Sequence, residues 1–171
     1  LQMGLLMAIL MGALNKALYP ILFKFLSNDM TKDSKNKLVK FSYFLFIGIV
    51  LMGVVLIVLL ELLYPYFLGN EFQDSLILTQ LIVFGFMLEG FYYVVVNYIF
   101  YFKKTSSLAK ITFTVSILHV GISFLFVKLF GIVGAGYALV ISGVIQFVLI
   151  WHLSNKIYPM PWFSFWRKNE I

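Results

Sequence analysis

The sequence predicts an all-α protein, a polytopic membrane helix bundle of about five transmembrane helices. Three observations support this prediction. The chain is 62% hydrophobic and only 12% charged, with a mean hydropathy of +0.98, whereas soluble domains carry about 25% charged residues. Its apolar runs are long enough to cross a hydrocarbon core of ~30 Å as helices. Its lysines fall between these runs, as they do in the cytoplasmic loops of membrane proteins.

Five spans can be placed in order along the chain. The first, about residues 3–25, contains Pro20. Because proline lacks a backbone donor, we expect a kink or break in this helix near Lys16. The other four spans cover about residues 39–63, 76–102, 111–129 and 132–153. The bundle as a whole is predicted to occupy residues 1–156.

The distribution of charge predicts the orientation of the spans. The loops Ser27–Lys40 and Lys103–Lys110 are basic, whereas the connection between the second and third spans is acidic and has no lysine. Positive loops stay in the cytoplasm, so the C-terminus is expected on that side. Residues 157–171 are interpreted as an interfacial tail, in which Trp162 and Trp166 anchor the chain at the cytoplasmic face.

The third span is the one around which the rest of the chain is organised. It has Glu89 at its midpoint. A carboxylate at the centre of a bilayer costs ~3 kcal/mol or more, depending on the reference scale. The other spans must therefore supply neighbours for this helix and a polar or hydrated side for Glu89.

Polar residues inside the spans are the candidates for substrate binding or coupling: Asn15, Lys16, Glu89, Asn97 and Gln146. In the functional interpretation they line a hydrophilic pathway, with Lys16 as an anion contact and Glu89 as a cation or proton contact. In the structural alternative, Lys16 and Glu89 pair with each other, or a protonated Glu89 bonds a neighbouring helix. For His119, near the centre of the fourth span, a helix–helix hydrogen bond is the favoured interpretation.

No enzyme signature appears in the sequence. Without cysteine there is neither a disulfide nor a thiolate metal site. The two histidines form no zinc motif, and no glycine-rich phosphate loop is present. No catalytic residue, metal or cofactor is therefore predicted. The lysines that give the chain its net charge of +6 lie between apolar spans, and this placement argues against nucleic acid as a partner.

Several stretches resemble the C-terminal part of polysaccharide flippases, the O-antigen and capsule transporters of the multidrug/oligosaccharidyl-lipid/polysaccharide exporter superfamily. The most specific is FGIVGAGYA, from Phe130 to Ala138, supported by the Lys-Lys-Thr sequence from Lys103 to Thr105. Asn15 and Pro20 in the first span fit the same order. His119 departs from the pattern, because the family often has asparagine near that position.

The resemblance implies a fold and a function. Such transporters have about twelve to fourteen helices in two lobes around a central cavity, and this chain would be part of the second lobe. They flip undecaprenyl-pyrophosphate-linked oligosaccharide repeat units across the cytoplasmic (inner) membrane for surface polysaccharide biosynthesis. The implied partners are the lipid-linked oligosaccharide, membrane lipids and other polysaccharide assembly proteins. The chain begins with leucine, so we expect it to be a piece of a longer protein.

Two other functions remain open. Within the same superfamily, the protein could export drugs or lipid II. From a different class, it could be part of a membrane-embedded polysaccharide polymerase or acyltransferase. A polymerase should carry a large external loop with arginine or histidine, whereas the predicted external loops are short and lack arginine. This contrast favours transport.

Overall fold

The computed structural model of the protein describes residues 2–27, 31–68 and 73–162. These residues form five α-helices: α1 (Gln2–Ser27), α2 (Lys32–Leu68), α3 (Gln73–Tyr101), α4 (Thr105–Phe130) and α5 (Ile132–Ile157). All five are long and apolar enough to cross a membrane. The predicted fold class, a helical bundle of a multi-pass membrane protein, is confirmed.

The helices extend beyond the predicted spans at several ends. Helix α2 begins at Lys32 and α4 at Thr105, ahead of the first apolar residues of their spans. Polar residues at a membrane surface can continue a helix, because only the hydrocarbon core requires apolar side chains. Hydropathy therefore locates the spans but not the helix ends.

Helix α1 continues through Pro20 without interruption from Gln2 to Ser27. Of the kink or break expected near Lys16, the break is therefore wrong. Proline removes only the hydrogen bond that its own nitrogen would donate to the carbonyl four residues earlier. A membrane-spanning helix tolerates this loss, because neighbouring helices and small local adjustments support the remaining backbone bonds.

Helix α3 is the centre of the bundle. It packs against α1, α2 and α5, whereas α4 packs mainly on α5. Within the apolar window of α3, 67% of the residues are buried, against 6% in α4. Methionines fill the space beside glycines at the contacts of α3, with Met87 against Gly53 of α2 and Met11 of α1 against Gly90. The third span is thus the central element, as predicted.

The turn between α4 and α5 is tight, with Gly131 as the one residue between the two helices. Gly131 has a φ of 62°, a conformation that glycine adopts readily and L-residues rarely do. Gly134 follows in the first turn of α5, where an added Cβ would overlap the carbonyl group of Phe126 in α4. Gly136 lies against Leu81 of α3. Small residues therefore let α5 approach α4 on one side and α3 on the other.

One end of the bundle collects the C-terminal ends of α1, α3 and α5 and the N-terminal ends of α2 and α4, and we call it the basic end. The Tyr101 hydroxyl at the end of α3 donates to the Leu26 carbonyl of α1 at 3.0 Å. Phe102 stacks on Tyr158 beyond α5, with 5.1 Å between the ring centroids. Lys35 Nζ of α2 donates to the Pro159 carbonyl at 3.3 Å.

The segment Tyr158–Trp162 folds back across the basic end. Trp162 is 4% exposed, and its ring packs edge-on against Tyr43 and Trp151. The Tyr43 hydroxyl donates to the Trp162 carbonyl at 2.9 Å. Trp162 is therefore part of the helix core and not the predicted anchor in the membrane interface, because aromatic neighbours on α2 and α5 surround it. Trp166 lies outside the described residues.

Lys35 and Tyr158 attach the same segment through a cation–π contact. The Lys35 ammonium lies 4.4 Å from the centroid of the Tyr158 ring. Burial raises the pKa of the Tyr158 hydroxyl, and the neighbouring Tyr101 adds to the shift. The phenol therefore stays neutral, and the attraction is that of a cation to the face of a ring.

Candidate functional site

A cavity of about 400 Å³ lies between α3, α4 and α5. Its polar lining consists of Glu89, Tyr92, Ser116, His119, Ser142 and Gln146. These residues come from the middle of helices that are long and apolar enough to cross a membrane. Ionisable groups at that depth usually face a bundle interior or water, and they mark candidate pathways. The structure thus brings two predicted candidates, Glu89 and Gln146, to one site.

Glu89 is held in the cavity by its own helix. The Tyr93 hydroxyl, one turn later on α3, donates to Glu89 Oε1 at 2.5 Å. The second carboxylate oxygen has no hydrogen-bond partner among the described residues. Glu89 is half-buried, so this oxygen is available to a ligand or a proton in the cavity. A carboxylate with one fixed and one free oxygen is suited to a cation or proton contact.

His119 joins α4 to α5, which confirms the helix–helix hydrogen bond favoured from the sequence. Its Nδ1 lies 3.0 Å from Ser142 Oγ. Because Ser142 gives its own proton to the Ala138 carbonyl at 2.7 Å, Nδ1–H must be the donor to Ser142. Nε2 lies 3.4 Å from Ser123 Oγ.

Gln146 follows Ser142 by one turn of α5 and is half-buried against the cavity. Its amide makes no hydrogen bond within the part of the chain that the structure describes. An amide can donate to and accept from a ligand at once. Gln146 therefore adds an amide contact to a site whose acidic group is Glu89.

Asn15 and Asn97 lie elsewhere, at the interface of α1 and α3. Asn97 Nδ2 donates to Asn15 Oδ1 at 3.1 Å and to the Tyr93 carbonyl at 2.9 Å. Asn97 is 1% exposed. The structure does not bring these two candidates to the cavity, and their contacts are those of a helix–helix hydrogen bond.

Lys16 is exposed on α1 and does not line the cavity. Across residues 2–27, 31–68 and 73–162, the ion pair present is Lys37 with Asp33, at 2.8 Å between Nζ and Oδ2. The expected alternative, in which Lys16 pairs with Glu89, is therefore wrong. The first and third spans do pack together, but the turn of α1 that faces α3 presents Asn15 and not Lys16.

Sequence reasoning missed Tyr92, Tyr93, Ser116 and Ser142. A spacing of four residues, which places side chains on the same side of a helix, could have found two of them. Tyr93 falls midway between Glu89 and Asn97, and Ser142 lies four residues before Gln146. Reading each polar residue with its neighbours at this spacing would have indicated a polar stripe on α3 and a second on α5.

Within the described residues, no three histidine, cysteine, aspartate or glutamate side chains lie close enough together to hold a metal ion. A search of protein-family models, curated proteins and solved structures finds no match for the chain. The geometry of the cavity is therefore the structural basis for a functional proposal.

Proposed function

We propose that this protein is a transporter that flips undecaprenyl-pyrophosphate-linked oligosaccharide units across the cytoplasmic membrane for surface polysaccharide biosynthesis, with its C-terminus in the cytoplasm. The observation that supports a transport function is the polar cavity at the middle of helices long and apolar enough to cross a membrane, with Glu89 in its wall. The substrate class rests on the resemblance of FGIVGAGYA and the Lys-Lys-Thr sequence to polysaccharide flippases.

The lining of the cavity fits the uncharged part of such a substrate. Sugar hydroxyls need hydrogen-bonding groups when they leave water, and Gln146 and Ser116 can provide them. The ring of Tyr92 gives an apolar face against which a sugar ring can pack. Glu89 then serves as the coupling group, because binding a proton or a cation changes the charge of the cavity.

A second candidate is an exporter of organic cations from the same superfamily. It is favoured by the charge of the lining, which contains one acid and no lysine or arginine. Phe86 and Tyr92 flank Glu89 in the same wall, and aromatic rings beside a carboxylate are a known arrangement for binding ammonium groups.

Complementation tests the proposal. The gene is placed in a strain that lacks its polysaccharide flippase, and surface glycan is measured beside the accumulated lipid-linked repeat unit. We expect glycan to return and the intermediate to decline, as they do when the strain's own gene is restored. Accumulation that persists in strains of several repeat-unit structures, despite normal membrane levels, would contradict flipping. Resistance to cationic dyes in the same cells would then support the second candidate.

A further inference from the structure

Three lysines of the basic end lie near the contact between the last turns of α1 and α3. The contact between Tyr101 and Leu26 ties the last turn of α1 to the last turn of α3, and the ring of Phe23 lies 5.1 Å from that of Tyr101. Lys24 is thus beside the short connection from α3 to α4, which consists of Phe102, Lys103 and Lys104. We call these three lysines the corner lysines.

The corner lysines are exposed, and the part of the chain that the structure describes gives them no acidic partner. All three are exposed, and none has an acidic partner among the residues that the structure describes. Asp33, a described acid of this end, is already bonded to Lys37. Cationic side chains at a membrane surface attract anionic lipid headgroups, and an unpaired group does so most strongly.

The cavity has the opposite character. Its lining contains the carboxyl group of Glu89 and no lysine or arginine. A phosphate or pyrophosphate moved into this cavity would lose water without gaining a lysine or arginine partner. The cavity therefore suits a neutral or cationic group, and an anionic headgroup is better placed at the basic end.

We propose that the corner lysines Lys24, Lys103 and Lys104 bind the phosphate-bearing headgroup of a lipid, and that the α3–α4–α5 cavity does not. This inference deepens the proposed function and rests on it for the assignment of the lipid as substrate. The charged head stays at the membrane surface while the uncharged sugars contact the cavity. Lys16, which is also exposed, lies about 12 Å before Lys24 along α1.

Binding of a short isoprenoid pyrophosphate tests the site. The purified protein is placed in nanodiscs of phosphatidylcholine, and the affinity for farnesyl pyrophosphate is measured by calorimetry. We expect the triple change of Lys24, Lys103 and Lys104 to glutamine to weaken binding at least about tenfold. The triple change to arginine should keep it, because the charge remains. Two control variants should bind the probe normally. Lys128→Gln removes an exposed cation at the end of α4, distant from the corner, and Glu89→Gln changes the acid of the cavity.

Two competitors identify the source of the headgroup. If inorganic pyrophosphate displaces the probe and phosphatidylglycerol in the nanodisc does not, the corner prefers a pyrophosphate lipid. If phosphatidylglycerol displaces it equally well, the corner binds anionic membrane lipid in general. Both results support a phosphate site at the corner. Unchanged affinity of the glutamine triple variant, or an equal loss in Glu89→Gln, would overturn it.

This test is separable from the test of transport. If the parent protein restores surface glycan but the glutamine triple variant binds the probe normally, the corner assignment fails and the flippase function stands. If the triple variant loses binding but the parent never restores glycan, the corner stands as a lipid site and the flippase function fails.

Discussion

Three polar side chains follow one another at four-residue spacing on α3, and they are bonded in series. Tyr93 donates its hydroxyl to Glu89, and its backbone carbonyl accepts from Asn97. Asn97 in turn donates to Asn15 of α1. This series connects the wall of the cavity to the α1–α3 interface, so a change at Glu89 has a direct structural path to the packing of α1.

The first prediction concerns the charge of Glu89. Glu89→Gln keeps an oxygen that can accept from Tyr93 but removes the ionisable group. We expect transport to fall at least tenfold while membrane levels stay within twofold of the parent, because one proton-binding group is lost and the packing is kept. Surface glycan per unit of membrane protein is the measurement.

Tyr93→Phe is the matched control for this change. It removes the hydrogen bond and leaves the carboxylate in place. A moderate loss of transport is expected, because the orientation of Glu89 changes but its charge does not. Normal glycan export by Glu89→Gln would return Glu89 to a structural role.

At the residue scale, the sequence identified which groups are costly in a membrane but not where each of them points. Glu89 and Gln146 face one cavity, whereas Lys16, on the helix next to α3, is exposed. Asn15 and Lys16 are adjacent, yet one bonds Asn97 and the other faces outward. Such a difference depends on the rotation of α1 about its axis, which packing against α3 decides and composition does not.

At the scale of elements, the close approach of α4 and α5 is the feature most sensitive to a small change. Gly134→Ala would place a methyl group against the Phe126 carbonyl. The obstacle is backbone, so the helices must separate, at a cost of about 1–3 kcal/mol. We expect a lower unfolding temperature in detergent, together with a weaker His119–Ser142 contact across the same pair of helices.

Gly121→Ala is the control for this prediction. Gly121 also lies within α4, but a Cβ there meets nothing within 4 Å. Alanine is favoured over glycine in a helix by ~1 kcal/mol, so stability should stay equal or rise. Equal unfolding temperatures for the two alanine variants would show that the α4–α5 contact does not limit stability.

Hydropathy predicted the existence and order of all five helices, because the bilayer requires long apolar runs. The continuity of α1 through Pro20 could not be predicted in this way, since it depends on neighbours that hold the helix together. The buried position of Trp162 was also missed. A tryptophan near a cluster of basic residues can lie either at a lipid interface or inside a protein core. The contacts with Tyr43 and Trp151 place Trp162 in the core.

For the whole molecule, the orientation in the membrane is the property that the arrangement of charge predicts. The 171 residues contain no cysteine, so a single cysteine introduced among them has no competing thiol in this part of the protein. We expect Ser106→Cys, exposed at the basic end, to react with a membrane-impermeant maleimide in inverted vesicles and not in intact cells. Lys128→Cys should show the reverse pattern, because α4 carries the two positions towards opposite ends. Labelling of Ser106→Cys from outside intact cells would contradict the predicted topology.

The neighbours of each helix in space could not be derived from their order along the chain. Helix α4 follows α3 in sequence, yet α5 is the helix that packs extensively on α3. Small residues decide this arrangement, because they let α3 and α5 approach closely. Gly85 of α3 lies against Leu139 of α5. In the other direction, Gly136 and Gly143 of α5 lie against Leu81 and Leu88 of α3. These glycines were visible in the sequence, but their partners were not.

The placement of α5 beyond α4 has a consequence for biogenesis. When α3 leaves the translocon, α1 and α2 are present to cover two of its sides, but the side that carries Glu89 has to wait for a helix made two spans later. During the synthesis of α4 this carboxyl group has no permanent neighbour on another helix. Nascent chains halted before α5 would therefore leave the side of α3 that carries Glu89 towards lipid, which is a feature that membrane quality-control proteases and insertion chaperones can detect.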